Sequence, residues 1–401
     1  MDPYLISALI LLSAAVSSVI GLLILQLGLQ RVFAAAPYLN PSPEGPLPQT
    51  SLTVVIPAYN EAANIEPCLR AVLGSEPPCS SWEVLVVDDD SSDGTAGLAT
   101  GVPEELPHRS GGFGLLQAGP RPKGERWVGK NWACARAMEQ VVSTWVLFID
   151  ADVRLRPETL RRALTQAISE KADLFSLAPR LCCGCLAEWA VQPIMASLLG
   201  LGFPILAAND PASSVAFAAG PFMLFRRSTY EQIGGHRALA SEVVEDLALA
   251  RRIKAGGHRL CYRLGLDAVD LRMYENLASL WEGWTKNWFV GLGRDPLRAV
   301  GASAVVVQMF SLPWLLLPTS MALLLLVPGS AFYWWMLFAL ALLAVVQQLL
   351  LRLWHRSEFA VPLDHWWLMG AGGLLLGAIG PVSVWRTVTG LGWTWKGRQL
   401  K

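Results

Sequence analysis

The sequence predicts an α/β domain built on a doubly wound, mostly parallel sheet with helices on both faces. We expect this domain to lie between an N-terminal transmembrane anchor and a C-terminal region of transmembrane helices. Three observations predict this arrangement. Strand-like runs alternate with helical runs in the middle of the chain, acidic residues follow two of the strand-like runs, and long uncharged stretches stand near both ends.

The composition narrows the class of protein. The 401-residue chain is 53% hydrophobic and only 16% charged, whereas about a quarter of the residues are charged in an ordinary soluble domain. Its 32 basic residues are balanced by 32 acidic ones. Nucleic-acid-binding proteins need a basic surplus for their phosphate contacts, so we expect no nucleic-acid partner. The high apolar content also excludes a disordered chain.

The uncharged stretches are long enough to cross a bilayer, which takes about 20 residues. Residues 3–30 carry no charge, and the run lacks the basic start and the short apolar core of a cleaved signal peptide. We therefore expect an uncleaved anchor there. Residues 299–351 have room for two spans with a turn near 327–330, and residues 366–385 have room for another.

The charges that flank the first run predict which side of the membrane the middle domain occupies. Arg31 follows this run and almost nothing basic precedes it, so the positive-inside rule places the middle domain in the cytoplasm. Four spans would then leave a basic C-terminus outside, against the same rule. Either residues 366–385 are re-entrant or interfacial, or the rule is overridden here, and both readings stay open.

Short β-branched runs predict the sheet. We expect strands over 52–56, 82–87, 113–117 and 145–149, and helices over 62–73, 131–141 and 246–255. Strands that are connected through helices lie parallel in a sheet, and ligands bind at the carboxyl ends of such strands. The acidic residues that follow the second and fourth strands therefore mark a candidate site.

Each acidic cluster has a functional and an ordinary interpretation. Asp150 and Asp152 suit Mg²⁺ or Mn²⁺, but they are also typical of a capped strand end. Residues 88–90 suit hydrogen bonds to a nucleobase or ribose, but acidic turns are common after strands. Glu245 and Asp246 open a predicted helix, where acids are favoured by the helix dipole; alternatively, one of them is a general base.

The order of the motifs is more specific than any one of them. Taken together they resemble the family 2 glycosyltransferases with a GT-A fold, over about residues 50–265. The segments that carry the resemblance are 57–61, 86–95, 129–133, 150–152, 219–227, 233–236 and 245–246. More narrowly, residues 127–134 and 280–287 resemble the membrane enzymes that glycosylate carotenoids and their hopanoid-associated relatives.

The resemblance implies a role for each matching residue. It implies donor-binding side chains at Pro57, Tyr59, Glu61, Asp88, Asp89, Lys130 and Asp150. It also implies that Asp150 and Asp152 hold a divalent metal ion, Mn²⁺ or Mg²⁺, on the diphosphate of the donor. Asp246 would be the base that deprotonates the acceptor, with Glu245 beside it.

The acceptor side departs from the pattern of the polysaccharide-making relatives. Their Q-x-x-R-W motif is replaced by residues 284–288, which lack the glutamine and the arginine. We therefore expect a single transfer to a membrane lipid. Residues 186–208 read as an interfacial segment, and four side chains would line the acceptor entry or merely anchor the domain to the bilayer: Trp281, Trp284, Lys286 and Trp288.

The predicted organisation is an anchor over 1–30, a catalytic domain over 48–265 that includes 186–208, a Trp-rich amphipathic segment over 266–298 and a membrane region over 299–401. The resemblance implies an inverting, metal-dependent hexosyltransferase of a bacterial inner membrane. Its donor would be a UDP- or GDP-sugar, and its acceptor the hydroxyl of a membrane lipid, most simply a hydroxylated carotenoid. Alternatives are a hopanoid, glycerolipid, sphingolipid or polyprenyl phosphate acceptor, and a catalytically silent membrane scaffold.

Overall fold

The computed structural model describes residues 3–106, 111–396 and 398–400. The chain forms two compact units. The sheet unit comprises Ala35–Cys182 and Phe203–Met273, and the helical unit comprises the chain up to Ala34, Cys183–Gly202 and the chain from Tyr274 onward.

The sheet unit contains ten strands and seven α-helices among its described residues. The strands are β1 (Ser51–Ala58), β2 (Ser81–Asp88), β3 (Gly112–Gln117), β4 (Trp145–Ile149), β5 (Val153–Leu155), β6 (Leu174–Ala178), β7 (Arg180–Leu181), β8 (Phe222–Arg226), β9 (Leu260–Leu264) and β10 (Val269–Leu271). The helices are α2 (Ile65–Leu73), α3 (Thr95–Glu105), α4 (Gly129–Ala137), α5 (Thr159–Ser169), α7 (Ile205–Asn209), α8 (Arg227–Gln232) and α9 (Glu245–Ala255).

Seven strands form the main sheet in the order β3-β2-β1-β4-β8-β6-β9. All pairs are parallel except those made by β8, which runs antiparallel to both β4 and β6. The mostly parallel sheet is therefore confirmed, and so are the four strands that the sequence predicts, which are β1, β2, β3 and β4. β5, β10 and β7 form a second, small sheet.

Apolar side chains on β1, β2 and β4 pack with those of α2 and α5 to form the core of the sheet unit. β4 is buried at all five positions, as expected for a central strand with neighbours on both sides. Because β1, β2 and β4 are parallel, their carboxyl ends meet at one edge of the sheet. The acidic residues after β2 and β4 therefore lie at the same edge.

The helical unit contains α1 (Pro3–Phe33), α6 (Leu186–Gly202), α10 (Leu277–Gly291), α11 (Pro296–Val306), α12 (Leu312–Leu326), α13 (Ala331–Phe359), α14 (Met369–Val388) and a hairpin of β11 (Trp393–Trp395) and β12 (Arg398–Leu400). A π-helical turn at Val307–Ser311 joins α11 to α12. Among the described residues, four helices are long and apolar enough to cross a membrane: Leu5–Phe33, Pro296–Leu326, Ala331–Phe359 and Trp366–Val388. The turn expected near 327–330 is a 3₁₀ turn at Pro328–Ser330.

The segment expected to lie in the interface, 186–208, is divided between the two units. Most of it forms α6 in the helical unit, whereas the sequence analysis counted all of it with the catalytic domain. The Glu188 carboxylate, fully buried, accepts hydrogen bonds from the backbone of Gly184 and Tyr274 at 2.8 and 3.0 Å. Because the Glu188 carboxylate is hydrogen-bonded within the helical unit, it does not need water or lipid headgroups as hydrogen-bond partners.

Candidate active site

One lysine joins three parts of the sheet unit. Lys130 lies in the first turn of α4, and its Nζ atom is 2.7 Å from Oδ1 of Asp150 and 2.6 Å from Oε1 of Glu245. Asp150 follows β4, and Glu245 begins α9. The structure therefore brings together three residues that the sequence analysis singled out separately.

The charges of this cluster depend on one another. Burial opposes the charged form of Lys130, but the carboxylates of Asp150 and Glu245 outweigh it and raise the pKa of Lys130 well above its ordinary value. Burial also opposes the ionised form of Glu245, but the Lys130 ammonium group lowers the pKa of this carboxyl below its ordinary value. Lys130 and Glu245 are therefore both charged at neutral pH.

Asp246 stands in a different environment from its neighbour. Its Oδ2 atom accepts a hydrogen bond from the backbone of Gly220 at 3.1 Å, and its Oδ1 atom accepts one from the backbone of Leu247 at 2.7 Å. Burial and then the negative charge of Glu245 raise the pKa of Asp246 to about 6, although Lys130 acts in the opposite direction. A carboxylate with a pKa near neutrality suits a general base.

The close approach of Gly220 to Asp246 explains why a glycine stands at position 220, in the segment 219–227 that carries part of the family resemblance. A Cβ atom at Gly220 would lie 2.8 Å from Oδ2 of Asp246. Any other residue would displace the carboxylate from its backbone donor.

Two loops at the same edge of the sheet are tied to each other by their own polar groups. The backbone amides of Asn60, Glu61 and Ala62, after β1, donate to the side chains of Ser91, Thr95 and Asp93 at 2.9, 2.8 and 2.9 Å. Tyr59, Asn60 and Glu61 are half-buried. This arrangement positions the 57–61 segment without help from a ligand, as expected for part of a nucleotide pocket.

The two buried acids after β2 make different contacts. Asp89, 2% exposed, forms an ion pair with Arg121 at 2.6 Å. Asp88, 3% exposed, accepts a long hydrogen bond of 3.4 Å from the backbone of Ser91 through Oδ2, while its Oδ1 atom has no hydrogen-bond partner among the described residues. Asp88 therefore has an acceptor atom left for a nucleobase or ribose, and Arg121 already occupies Asp89.

The carboxylates of Asp150 and Asp152 could hold a divalent metal ion only together with ligands from outside the protein. Among the described residues, no group of three or more His, Cys, Asp and Glu side chains is arranged to hold a metal ion by itself. Asp150 is paired with Lys130, and Asp152 lies two residues further on at the same edge of the sheet. One or two carboxylates completed by substrate phosphates and water form a normal Mg²⁺ site, so the residues fit such an ion.

A buried histidine lies beside this cluster. The His236 ring contacts those of Phe148 and Tyr230, and the Tyr230 hydroxyl accepts its backbone N–H at 2.9 Å and lies 2.6 Å from Nδ1. Burial lowers the pKa of His236 to about 3, so the ring is neutral at the pH of the cell. Its role is therefore to support β4 and α8 rather than to exchange a proton.

Gly235 makes this packing possible, and we expect Gly235→Ala to destabilise the protein by about 2–4 kcal/mol. Its φ is +48°, and a Cβ atom there would lie 2.4 Å from the Tyr230 ring. Thermal unfolding of the two proteins measures the effect. Gly97→Ala is the matched control, because no atom lies within 4 Å of its Cβ position in α3, and it should be neutral or slightly stabilising. An equal melting temperature for both variants would contradict the assignment.

The four residues expected on the acceptor side all lie on α10, in the helical unit. Trp284 and Trp288 are each 6% exposed, and their indole N–H groups donate to Gln192 at 2.9 Å and to the Ala299 carbonyl at 3.1 Å. These two tryptophans therefore pack inside the helical unit through their indole groups, and the role expected for them at an acceptor entry stays a prediction. Trp281 and Lys286 are half-buried.

Sequence reasoning missed Arg121 and Asn131. Arg121 follows β3 in a loop rich in proline and glycine, where no periodicity indicates its pairing with Asp89. Asn131 follows Lys130 directly and is fully buried, and its side-chain amide donates to the carbonyls of Leu239 and Glu242 at 2.5 and 2.8 Å. A polar side chain on the apolar face of a short helix was the one signal in the sequence that pointed to it.

Comparisons with known proteins point to a family. Residues 53–234 match the model of the family described as glycosyl transferase family 2. The chain is 27% identical over 263 residues to the 4,4'-diaponeurosporenoate glycosyltransferase of Staphylococcus aureus (strain USA300). The match covers 65% of this chain and 66% of that protein.

Two solved structures are similar at lower levels. A mannosyltransferase from Pyrobaculum calidifontis, in complex with GDP-Man and Mn²⁺, is 17% identical with a TM-score of 0.49, over 94% of this chain and 99% of that one. The Mycobacterium tuberculosis glucosyl-3-phosphoglycerate synthase, in complex with Mn²⁺, UDP and its product, is 17% identical with a TM-score of 0.38, over 66% and 82%. By its sequence match, this chain contains a glycosyl transferase family 2 domain at residues 53–234.

Proposed function

We propose that the protein transfers a sugar from a nucleotide-sugar donor, a UDP- or GDP-sugar, to a lipid of the membrane in which it sits. The observation that carries the proposal is the cluster at the carboxyl edge of the sheet, where Lys130 bridges Asp150 and Glu245 and Asp246 follows directly. The family 2 match supports the same reaction class. A catalytically silent scaffold would have no use for a carboxyl group whose pKa lies near neutrality.

The reaction is a single displacement with inversion. The acceptor hydroxyl oxygen forms a bond to the anomeric carbon of the sugar, and the bond from that carbon to the diphosphate oxygen breaks. The nucleoside diphosphate leaves with the electron pair of that bond. Asp246 takes the proton of the hydroxyl, and its backbone donors at Gly220 and Leu247 fix the orientation of the carboxylate.

The rest of the cluster serves the donor. Asp88 and the 57–61 segment are proposed to hold the base and ribose, with Asp89 and its partner Arg121 beside them. Asp152, with Asp150, is proposed to hold a divalent metal ion, Mn²⁺ or Mg²⁺, which would offset negative charge on the diphosphate. Lys130, which contacts Asp150, is proposed to face the same phosphates.

We propose a carotenoid as the acceptor, because the relative from Staphylococcus aureus is named for one. Two kinds of acceptor oxygen are distinguished by chemistry. A hydroxylated carotenoid needs a base, which Asp246 supplies. The name of that relative specifies a carboxylate acceptor, and a carboxylate is ionised already, so transfer to it would form an ester and would not need Asp246. We propose the hydroxyl, because only that acceptor has a proton for Asp246 to remove.

The experiment that tests the function uses membranes containing the full-length protein, labelled UDP-glucose or GDP-mannose, Mn²⁺ and either a hydroxylated or a carboxylated carotenoid. We expect label in the hydroxylated carotenoid, in a linkage that resists mild alkali. Label that mild alkali releases from the carboxylated carotenoid would replace the hydroxyl acceptor by the carboxylate. Label in another lipid would keep the transferase and reject the carotenoid. No transfer with either donor would contradict the function.

Asp152→Ala tests the proposed metal site. We expect it to abolish the stimulation of transfer by Mn²⁺ and to weaken Mn²⁺ binding in the presence of UDP or GDP at least about tenfold, as seen by electron paramagnetic resonance of the ion. Asp267→Ala is a suitable control, because Asp267 is an acid whose side chain is 65% exposed and which belongs to none of the acidic clusters. Unchanged Mn²⁺ binding in Asp152→Ala would remove Asp152 from the metal site.

The proposed location of the protein is supported by the four helices that are long and apolar enough to span a membrane. We propose a multi-pass protein of a bacterial inner membrane with its sheet unit in the cytoplasm, supported by Arg31 at the end of α1. Labelling of single cysteines with a membrane-impermeant maleimide, placed at exposed Glu104 and at exposed Val388, tests the side on which each segment lies. Labelling at 104 in intact cells would contradict the cytoplasmic placement.

A further inference from the structure

The turn that begins α4 makes several bonds to one distant segment. The backbone N–H of Val128 donates to the Ala240 carbonyl at 2.7 Å, and the Asn131 side chain donates to the carbonyls of Leu239 and Glu242. Lys130 reaches Glu245 at 2.6 Å. We call residues 128–131 the α4 turn and residues 239–246 the base segment, since it ends at Asp246.

The base segment has little regular structure of its own to hold it. A 3₁₀ turn at His236–Leu239 precedes it, and α9 begins only at Glu245. Between them, the backbone N–H of Glu242 donates to the Leu239 carbonyl at 2.9 Å. Residues 240–244, which lead to Asp246, are therefore held in part by the groups that face them from the α4 turn.

The α4 turn is itself fixed to the sheet. Trp132 and Arg136, further along α4, donate to the carbonyls of Gly119 and Ala118, just beyond β3, at 2.9 and 3.1 Å. Lys130 adds the contact with Asp150 at the end of β4. The hydrogen bonds from this turn to the base segment therefore connect the segment that carries Asp246 to the strand ends that would bind the donor.

We propose that Asn131 is a positioning residue of the transfer reaction, which holds the base segment at the distance from the donor that Asp246 needs. This inference rests on the proposed function and adds a residue to it. Asn131 is fully buried and donates to two carbonyls that belong to the base segment, and it reaches neither the donor residues nor the carboxylates. Its effect on the reaction is through Asp246.

The test compares Asn131→Ala and Asn131→Leu with the wild-type full-length protein in membranes. Leucine restores the volume of the side chain and not its N–H donors. We expect both variants to lower kcat at least about tenfold while the Kd for UDP or GDP stays within about twofold, because a misplaced base slows the chemistry and leaves the donor bound. Hydrogen exchange should become faster in residues 239–246.

Asn209→Ala is the matched control. Asn209 also ties backbone groups together, at Ile205 and Tyr262 in the same unit, and it makes no bond to the α4 turn or the base segment among its described contacts. We expect its kcat to stay within about twofold of the wild type, with no change of exchange in 239–246. Asn131→Ser, which keeps one hydroxyl donor, gives an intermediate loss and serves if the other two variants do not fold.

Two outcomes would overturn the proposal. One is a kcat in the folded Asn131 variants equal to that of Asn209→Ala. The other is a loss of nucleotide affinity as large as the loss of kcat, because Asn131 would then support donor binding rather than the base. If the wild type transfers no sugar to any acceptor, the proposed function fails instead, and the exchange of residues 239–246 still decides whether Asn131 holds the segment.

Discussion

Replacing Asp246 by asparagine is expected to lower kcat by about 100- to 10,000-fold, the range that a general base contributes. The asparagine oxygen can accept from only one of the backbone amides of Gly220 and Leu247, so the side chain keeps its shape but loses one hydrogen bond together with the proton acceptor. Transfer of labelled sugar to the lipid acceptor measures kcat. The affinity for UDP or GDP should stay within about twofold, because none of the proposed donor contacts is removed.

The dependence of kcat on pH in the wild type should show the titration of Asp246. Asp246 acts as a base only when it is ionised, so kcat should rise with pH through about 6 and level off above it. Asp267→Asn is the control, because Asp267 is 65% exposed, and it should leave both kcat and the profile unchanged. A kcat for Asp246→Asn within threefold of the wild type would exclude Asp246 as the base, or would point to an acceptor that is ionised already.

The same variant should be more stable than the wild type at alkaline pH. The folded pKa of Asp246 lies above its unfolded value of about 3.9, so the folded state binds this proton more tightly, and the ionised carboxylate destabilises the fold once the pH exceeds about 6. Asp246→Asn should therefore be stabilised by about 2 kcal/mol more at pH 8 than below about pH 4, and the hydrogen bond that it loses lowers both values by about 1 kcal/mol. Such a trade of stability for activity is typical of active-site residues.

Much of the fold can be predicted because its signals are local. β1, β2 and β4 are β-branched runs that end in loops with acidic residues, and the parallel arrangement follows from the helices between them. The position of β8 in the sheet could not be predicted in this way. It inserts antiparallel between β4 and β6, and nothing in its five residues indicates its neighbours, since strand order depends on packing across the whole sheet.

The candidate site, too, can be predicted from the sequence only in part. The order of the motifs points to Asp150, Lys130 and Glu245, but the ion pairs that join them connect residues far apart in the chain, so periodicity carries no information about them. For Trp284 and Trp288 the sequence indicates an aromatic helix but not the partners of these two side chains. α10 is aromatic around much of its circumference, and which face is buried depends on Gln192 of α6 and on Ala299, which accept its indole N–H groups.

Lys130→Met and Glu245→Gln are expected to move the pH profile in opposite directions. Lys130 lowers the pKa of Asp246, and the charge of Glu245 raises it. Lys130→Met should therefore shift the rise in kcat above pH 6, and Glu245→Gln should shift it below. Profiles are measured with the metal and the donor at saturation, so that a change in their binding does not enter.

Lys130→Met should also destabilise the fold by about 3 kcal/mol at pH 7, because it leaves the carboxylates of Asp150 and Glu245 without their cation in a partly buried place. Lys130 depresses the folded pKa of Glu245, and this stabilisation is present above the unfolded value of about 4.3 and is lost as the pH falls through the folded pKa. The difference from the wild type should therefore shrink below about pH 4. Lys123→Met is the matched control, since Lys123 is exposed in the loop before α4, and it should change neither stability nor profile. Shifts of the same sign in Lys130→Met and Glu245→Gln would show that Asp246 does not sense these charges, and the base would then have to be sought elsewhere in the site.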